Sequence, residues 1–370
     1  MSVMARLPLL ALDVERTVRR RLVAPEFRVT VPQLVEPETV VAVAAAGQGK
    51  TARVAIAVEL GVPPQEAWRC LVRALGDRIE AGEVIAARRR GLRTVQVTSP
   101  IAGRLHSFDE RTGMLVIEAE APRQPVPALV AGEVTGLSDD AIEIRAIGDL
   151  AHGAVLLGPE CSGPLVVLSD RPDRELPLEE FDERCRGAVI LAGMTMSTAV
   201  LRRLQELGAA GAIVGGLSVS ALEPFLGGNM GERLRQLLST GTVGWPFSFG
   251  LLLLEGFGRL PIARPVFELL QERRGRSVAL LRGDTLGLDR PACFVSSRGF
   301  HGKSLEPLPL ETGVPVHVGV PARPGVGVLR SAPFLSRAFE GCPFTAVLVE
   351  RDGRVEPLPV EVVTPLGLTP

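Results

Sequence analysis

The strongest constraint on this chain is a segment that occurs twice. Val35-Glu36-Pro37-Glu38-Thr39-Val40-Val41-Ala42 aligns with Ile79-Glu80-Ala81-Gly82-Glu83-Val84-Ile85-Ala86, an offset of 44 residues. The second copy lies in the stretch Gly76 to Glu118, where short apolar/polar alternations are cut by turn residues. Gly76-Asp77 and Ala81-Gly82 bracket Arg78-Ile79-Glu80. Val84-Ile85-Ala86, a polar Arg/Gly tip and Val95-Gln96-Val97 follow, and Ser99-Pro100-Ile101-Ala102-Gly103 turns the chain toward Leu105. A period of two, interrupted at short intervals by Gly, Pro and Asp, is the pattern of a small all-β barrel. Between the two copies, the prolines at 63 and 64, the face Ala67, Leu71 and Leu75, and the terminal Gly76 predict a helical insert over 63–75.

The order GD-x-I-x-x-G-x-V-I-A followed by SP-x-x-G, at Gly76–Ala86 and Ser99–Gly103, resembles the biotinyl/lipoyl-type barrel-sandwich hybrid, a shape shared with one family of Rnf electron-transport complex components. Such hybrids are built from two similar halves, so the resemblance implies one composite β domain over residues 25–147. Carrier domains of this type hang their cofactor from a lysine at a hairpin tip. Here the tip falls near Gly91-Leu92-Arg93, and the only lysines are Lys50 and Lys303. No carrier role and no cofactor are therefore expected.

Ala44-Ala45-Ala46-Gly47-Gln48-Gly49-Lys50-Thr51 satisfies a relaxed phosphate-loop pattern, with alanine in place of the first glycine. A phosphate loop needs a helix after it. Ala52 to Val58 alternates like a strand, and the repeat makes residues 44–51 a hairpin tip, so the hairpin is the expectation. Arg19-Arg20-Arg21, in an N-terminal segment 1–24, is expected to be a solvated face or helix end, with a phosphate contact as the alternative. Two further strands, Pro127–Val134 and Ala141–Ile147, are expected to extend or close the barrel, and Gly148–Gly163, with the lone His152, to form a loop.

Further on the period changes. Pro164–Ser169, Ala188–Ala192, Gly211–Gly216 and Phe249–Leu254 are continuous apolar runs, as expected of strands buried on both faces. Ser197–Leu207 and Ile262–Arg274 carry apolar residues at helical spacing, each followed by a glycine, and Ser277–Leu281 reads as a last strand. This predicts a parallel-sheet α/β domain over residues 155–285. Gly193, Gly215, Gly216, Gly256 and Gly258 follow the carboxyl ends of its strands, the edge where open α/β sheets bind ligands. Glu255 is the carboxylate at that edge. These residues are the candidate ligand site; the alternative is that the glycines simply make tight turns. Arg282-Gly283-Asp284 reads as a chance RGD tripeptide.

Residues 300–370 return to β character, with strands expected at Val314–Val318, Gly325–Leu329, Ala346–Glu350 and Val355–Leu358 and a hairpin turn at Arg351-Asp352-Gly353-Arg354. This segment resembles a KOW-type, SH3-like barrel, which implies contact with RNA or a protein partner. The whole order, barrel-sandwich hybrid, α/β domain, SH3-like barrel, resembles a group of bacterial proteins and implies no activity. The expected class is thus multidomain, mixed β and α/β.

Composition narrows the function classes. A net charge of −1 disfavours bulk electrostatic binding to nucleic acid or membrane. Tyrosine is absent and aromatics are 4%, so base-stacking platforms are few. The five cysteines, Cys70, Cys161, Cys185, Cys293 and Cys342, form no C-x-x-C, which indicates neither a disulfide framework nor a zinc site. The run Leu7–Leu12 is too short for a signal sequence, and no apolar run approaches a membrane span, so a cytoplasmic location is expected. No nucleophile–base pair, metal cluster or complete phosphate loop is legible. The expected function is a non-catalytic binding or assembly protein with protein partners. The alternatives are an enzyme or enzyme subunit using the glycine edge, and RNA binding by the C-terminal barrel.

Overall fold

The computed structural model describes residues 4–45, 51–90, 93–119, 122–226, 230–240, 245–297, 302–319, 325–336 and 344–367. It is β-rich, and no helix among the described residues is long and apolar enough to cross a membrane. The chain forms two compact units. One comprises residues 22–28 and 40–126, the other 1–21, 29–39 and 127–370.

In the smaller unit the strands Thr51–Ala55, Met114–Glu118, Gly103–Asp109 and Arg78–Ile79 form one sheet in that order. Arg123–Pro127, Val40–Ala45 and Val23–Phe27 form a second, and Val84–Arg90 pairs with Arg93–Thr98 as a hairpin. Ile79, Ile85, Leu105, Leu115 and Ile117 are fully buried in a single core. The inserted helix is shorter than expected. It ends by Cys70, because Leu71 bridges Ala86 and the Val72 N–H donates to the Ile85 carbonyl, leaving Leu75 exposed. An unexpected helix, Ile56–Leu60, interrupts the predicted strand Ala52–Val58. Val40–Ala45 and Thr51–Ala55, on either side of the expected hairpin tip 44–51, lie in different sheets rather than pairing as a hairpin. The glycine-rich tip 46–50 and the carrier-type tip 91–92 lie outside the described residues.

The larger unit is organised by one eleven-stranded sheet. Its strands are β1 (Leu10–Arg21), β2 (Gln33–Val35), β3 (Gly132–Ser138), β4 (Ala141–His152), β5 (Val155–Leu157), β6 (Cys161–Val167), β7 (Val189–Leu191), β8 (Gly211–Leu217), β9 (Gly250–Phe257), β10 (Ser277–Leu281) and β11 (Ala292–Ser297). The order is β5-β9-β8-β7-β6-β10-β11-β4-β3-β2, with β1 pairing β4 on its other edge. Strands β6 to β9 are mutually parallel, and the remaining pairs are antiparallel. Hence β3 and β4, expected to close the barrel, belong to this sheet instead, as does the N-terminal arginine segment in β1.

The parallel strands alternate between two cores. Ile190, Ala212, Val214, Leu251 and Leu253 face one, with helix α1 (Thr198–Leu207); Leu191, Ile213, Leu252 and Leu254 face the other. On that second face helix α2 (Arg264–Glu272) contributes Val266, Phe267 and Leu270. Burying such a side chain stabilises by roughly 1.5–3 kcal/mol, so continuous apolar strands are what a sheet covered on both faces requires. Helix α1 starts where the Ser197 hydroxyl accepts the Val200 N–H at 3.4 Å and ends at left-handed Gly208.

Six C-terminal strands form a sheet with its own core: β12 (Pro315–Val318), β13 (Gly325–Leu329), β14 (Phe334–Ser336), β15 (Phe344–Arg351), β16 (Arg354–Pro359) and β17 (Val363–Pro365). Asp352 and Gly353, at φ 50° and 75°, close the hairpin between β15 and β16, as the sequence predicts.

Candidate functional site

Strand β9 brings five residues of hydrocarbon to the sheet, from Gly250 to Leu254, and then a carboxylate. Glu255 is 4% exposed, at the carboxyl end of a parallel strand. A buried carboxylate is tolerated only with compensating partners. Its Oε1 accepts the backbone N–H of Ala263, the residue before α2, at 3.0 Å. Its Oε2 lies 2.8 Å from Nε2 of His317 without forming a hydrogen bond.

His317 sits on β12 between buried Val316 and Val318, and is itself 4% exposed. Its register partner on β17 is Thr364. The Thr364 hydroxyl accepts Nη1 of Arg290 at 3.3 Å, and Nε of the same guanidinium donates to the Gly153 carbonyl at 3.3 Å. Arg290 thus spends these hydrogen bonds on neutral oxygens. Burial lowers it from its usual value, partly offset by the Glu255 carboxylate. His152, the last residue of β4, completes the group. It is 2% exposed, and neither ring nitrogen has a partner. Burial first, then the charges of Arg290 and Arg16, push it down to about 4, so it is neutral at pH 7 and offers one donor and one acceptor.

These side chains line one cavity of about 660 Å³, closed on other sides by Ala5, Arg6, Asp289 and Glu361. Eight buried side-chain polar atoms among the described residues lack a hydrogen bond, and four of them belong to this cavity; Glu255 Oε2 and His317 Nε2 face each other at 2.8 Å, which leaves the two nitrogens of His152 with no partner of any kind. Native structures leave few such atoms, and they concentrate where something else binds. A volume of this size suits a small organic molecule.

Of the residues proposed from sequence, only Glu255 enters the chamber. Gly215 and Gly216 donate their N–H groups to the Gly193 and Met194 carbonyls, and Gly258 to that of Leu217. A Cβ on Gly215 would stand 2.0 Å from the Leu260 carbonyl oxygen, and one on Gly193, at φ 84°, 2.4 Å from that of Arg174. Gly256 and Gly258 also have left-handed φ values, 115° and 130°. These glycines let backbones approach and turn. His152, expected in a loop, lies in a strand because Gly148 and Asp149 continue β4. Gly148 has no room for a side chain beside the Val295 carbonyl, and buried Asp149 accepts Arg273 Nε at 2.7 Å. Residues 148–149 therefore resemble a turn in sequence but are paired within the sheet.

His317 and Arg290 escaped sequence reasoning. A histidine alternating with valines in Pro315–Val318 was the available signal for the first; Arg290 carried none. Three of the thiols are held in the unreactive protonated form: burial pushes Cys161 up to about 12 and raises Cys185 and Cys293 as well. Among the described residues no three His, Cys, Asp or Glu side chains are grouped to hold a metal ion. Comparison with protein-family models, curated proteins and solved structures gives no match, so the functional assignment rests on this chamber's own geometry.

Proposed function

We propose that this is a binding protein whose chamber between β9, β4 and β12 takes a small organic acid. The observation that carries the proposal is Arg290, a half-buried cation whose hydrogen bonds among the described residues go to neutral oxygens, in a cavity that also holds unpartnered polar atoms. A carboxylate is the natural complement of a guanidinium, through parallel charge-assisted hydrogen bonds. Glu255 does not fill that role, since its oxygens are engaged by Ala263 and His317. Neutral His152 would read a second polar group on the ligand.

A second reading is catalytic. Glu255 and His317, 2.8 Å apart and both lining the cavity, are an acid and a base type within reach of a bound molecule, which makes the pair a general acid–base candidate. The surrounding β architecture fits a scaffold role. The repeat supports a barrel-sandwich-hybrid type for the smaller unit, and the hairpin-rich six-stranded sheet supports an SH3-like type for the C-terminal segment. Assembly with a protein partner is compatible with both.

A thermal-shift screen of small carboxylates against their neutral amides tests the proposal. At least one acid is expected to raise the melting temperature where its amide does not, and Arg290→Gln to remove the shift while Arg290→Lys retains part of it. Equal shifts by acid and amide, or an undiminished shift in Arg290→Gln, would sink it.

A further inference from the structure

A second cavity, also about 660 Å³, lies along β1 and shares no lining residue with the chamber. Five arginines and four carboxylates line it. On β1 the burial alternates, with Val14, Arg16, Val18 and Arg20 on the inner side. The two inner arginines are anchored apart. Nη2 of Arg16 donates to the Leu286 carbonyl at 2.5 Å, and Arg20 donates to the carbonyl of Pro127. Neither makes an ion pair among the described residues, and the Nε–H of each is buried without an acceptor. Arg282 in the same wall also spends its guanidinium on carbonyls, those of Leu156 and Gly158.

None of the carboxylates hydrogen-bonds Arg16 or Arg20, although the charge of Glu160 partly offsets the burial of Arg20. Glu143 pairs with the outward-facing Arg19 at 3.7 Å. Glu160 is held by the backbone N–H of Arg282 at 2.8 Å, and Asp284 by that of Thr285 at 3.0 Å. Glu15 is exposed, on the opposite face of β1 from Arg16. Buried guanidinium groups are ordinarily paired with anions, because desolvation of the charge is otherwise uncompensated.

We propose that this groove binds a polyphosphate chain, free or carried on a nucleotide, with Arg16 and Arg20 clasping its two ends. Four residues of strand separate their Cα atoms by about 13 Å, and their carbonyl anchors hold the side chains in different directions. A compact single anion satisfies one of them; an extended one with several oxyanions satisfies both. Their unused Nε–H groups, planar and fixed in direction, suit phosphate oxygens.

Isothermal titration of the full chain with tripolyphosphate, with a nucleoside triphosphate and with the parent nucleoside, at matched ionic strength, tests this. Both phosphates are expected to bind and the nucleoside not to. Equal affinities assign the phosphate chain alone, and a tighter nucleoside triphosphate assigns a nucleotide. Arg16→Gln and Arg20→Gln are each expected to weaken binding at least tenfold, and Arg259→Gln, at an exposed arginine outside the groove, less than twofold. Glu160→Gln, which takes a negative charge from beside Arg20, is expected to tighten it, and keeps the test alive if Arg20→Gln does not fold. Absent binding, equal losses in Arg16→Gln and Arg259→Gln, or tighter binding of a single-stranded RNA than of either phosphate would overturn the proposal.

Discussion

At the scale of single residues, the chamber is expensive to build, and that cost is measurable through His152. Its folded-state value is lowered from 6.5 to about 4, chiefly by burial. The unfolded chain therefore takes up a proton as pH falls below about 6.5, while the folded chain resists until about 4. Stability is full above the unfolded value, falls through that window and levels off below it. The shift corresponds to about 3 kcal/mol. Urea unfolding of the parent and of His152→Gln at pH 7 and at pH 4 should show the parent losing about that much more than the variant. Equal losses would mean that His152 is not buried as a neutral ring. The same buried, half-satisfied chemistry explains why Glu255 alone was legible in sequence. A carboxylate after four leucines announces itself, whereas Arg290 acquires meaning only when Thr364 and Gly153 are brought to it from distant strands.

At the scale of elements, the 44-residue repeat is preserved down to single hydrogen bonds. In the first copy the Thr39 hydroxyl accepts the Glu36 N–H at 3.0 Å; in the second the Glu83 carboxylate accepts the Glu80 N–H at 2.9 Å. The backbone bonds match too, Thr39 to Glu36 and Glu83 to Glu80. Thr39→Ala should lower stability by about 1 kcal/mol, and Thr39→Glu, which copies the other turn, should restore it; an equally destabilised Thr39→Glu would show that the two turns are not equivalent. Local signals of this kind are readable in the sequence: the turn at Asp352-Gly353, the helix stop at Gly208, the apolar strands β7 to β9. Sheet membership was not. Alternation says that Ala141–Ile147 is a strand, but nothing local says that β4 pairs β1 and β11 instead of closing a barrel. The four tertiary partners that make Gly148, Asp149 and His152 part of that strand, namely Val295, Asp13, Arg273 and Ala292, are all remote in sequence.

At the scale of the whole molecule, each compact unit has its own core, and the chamber and the arginine groove both lie within the larger one. The chain leaves that unit at Thr39 and re-enters it at Pro127, and the Ala128 N–H donates to the Thr39 carbonyl at 2.9 Å. Replacing residues 40–126 with a two-glycine linker is therefore expected to leave a folded larger unit that still binds the chamber ligand; a variant that is soluble and folded but no longer binds would place part of that site elsewhere. The central claim is the recognition of an organic acid by Arg290. Calorimetric titration of the best acid from the screen into the parent, Arg290→Gln and Arg259→Gln tests it most directly. Arg259 is an exposed arginine paired with Glu175, outside the chamber. A loss of tenfold or more in Arg290→Gln with no change in Arg259→Gln is the expected result, and an affinity unchanged by Arg290→Gln would contradict it.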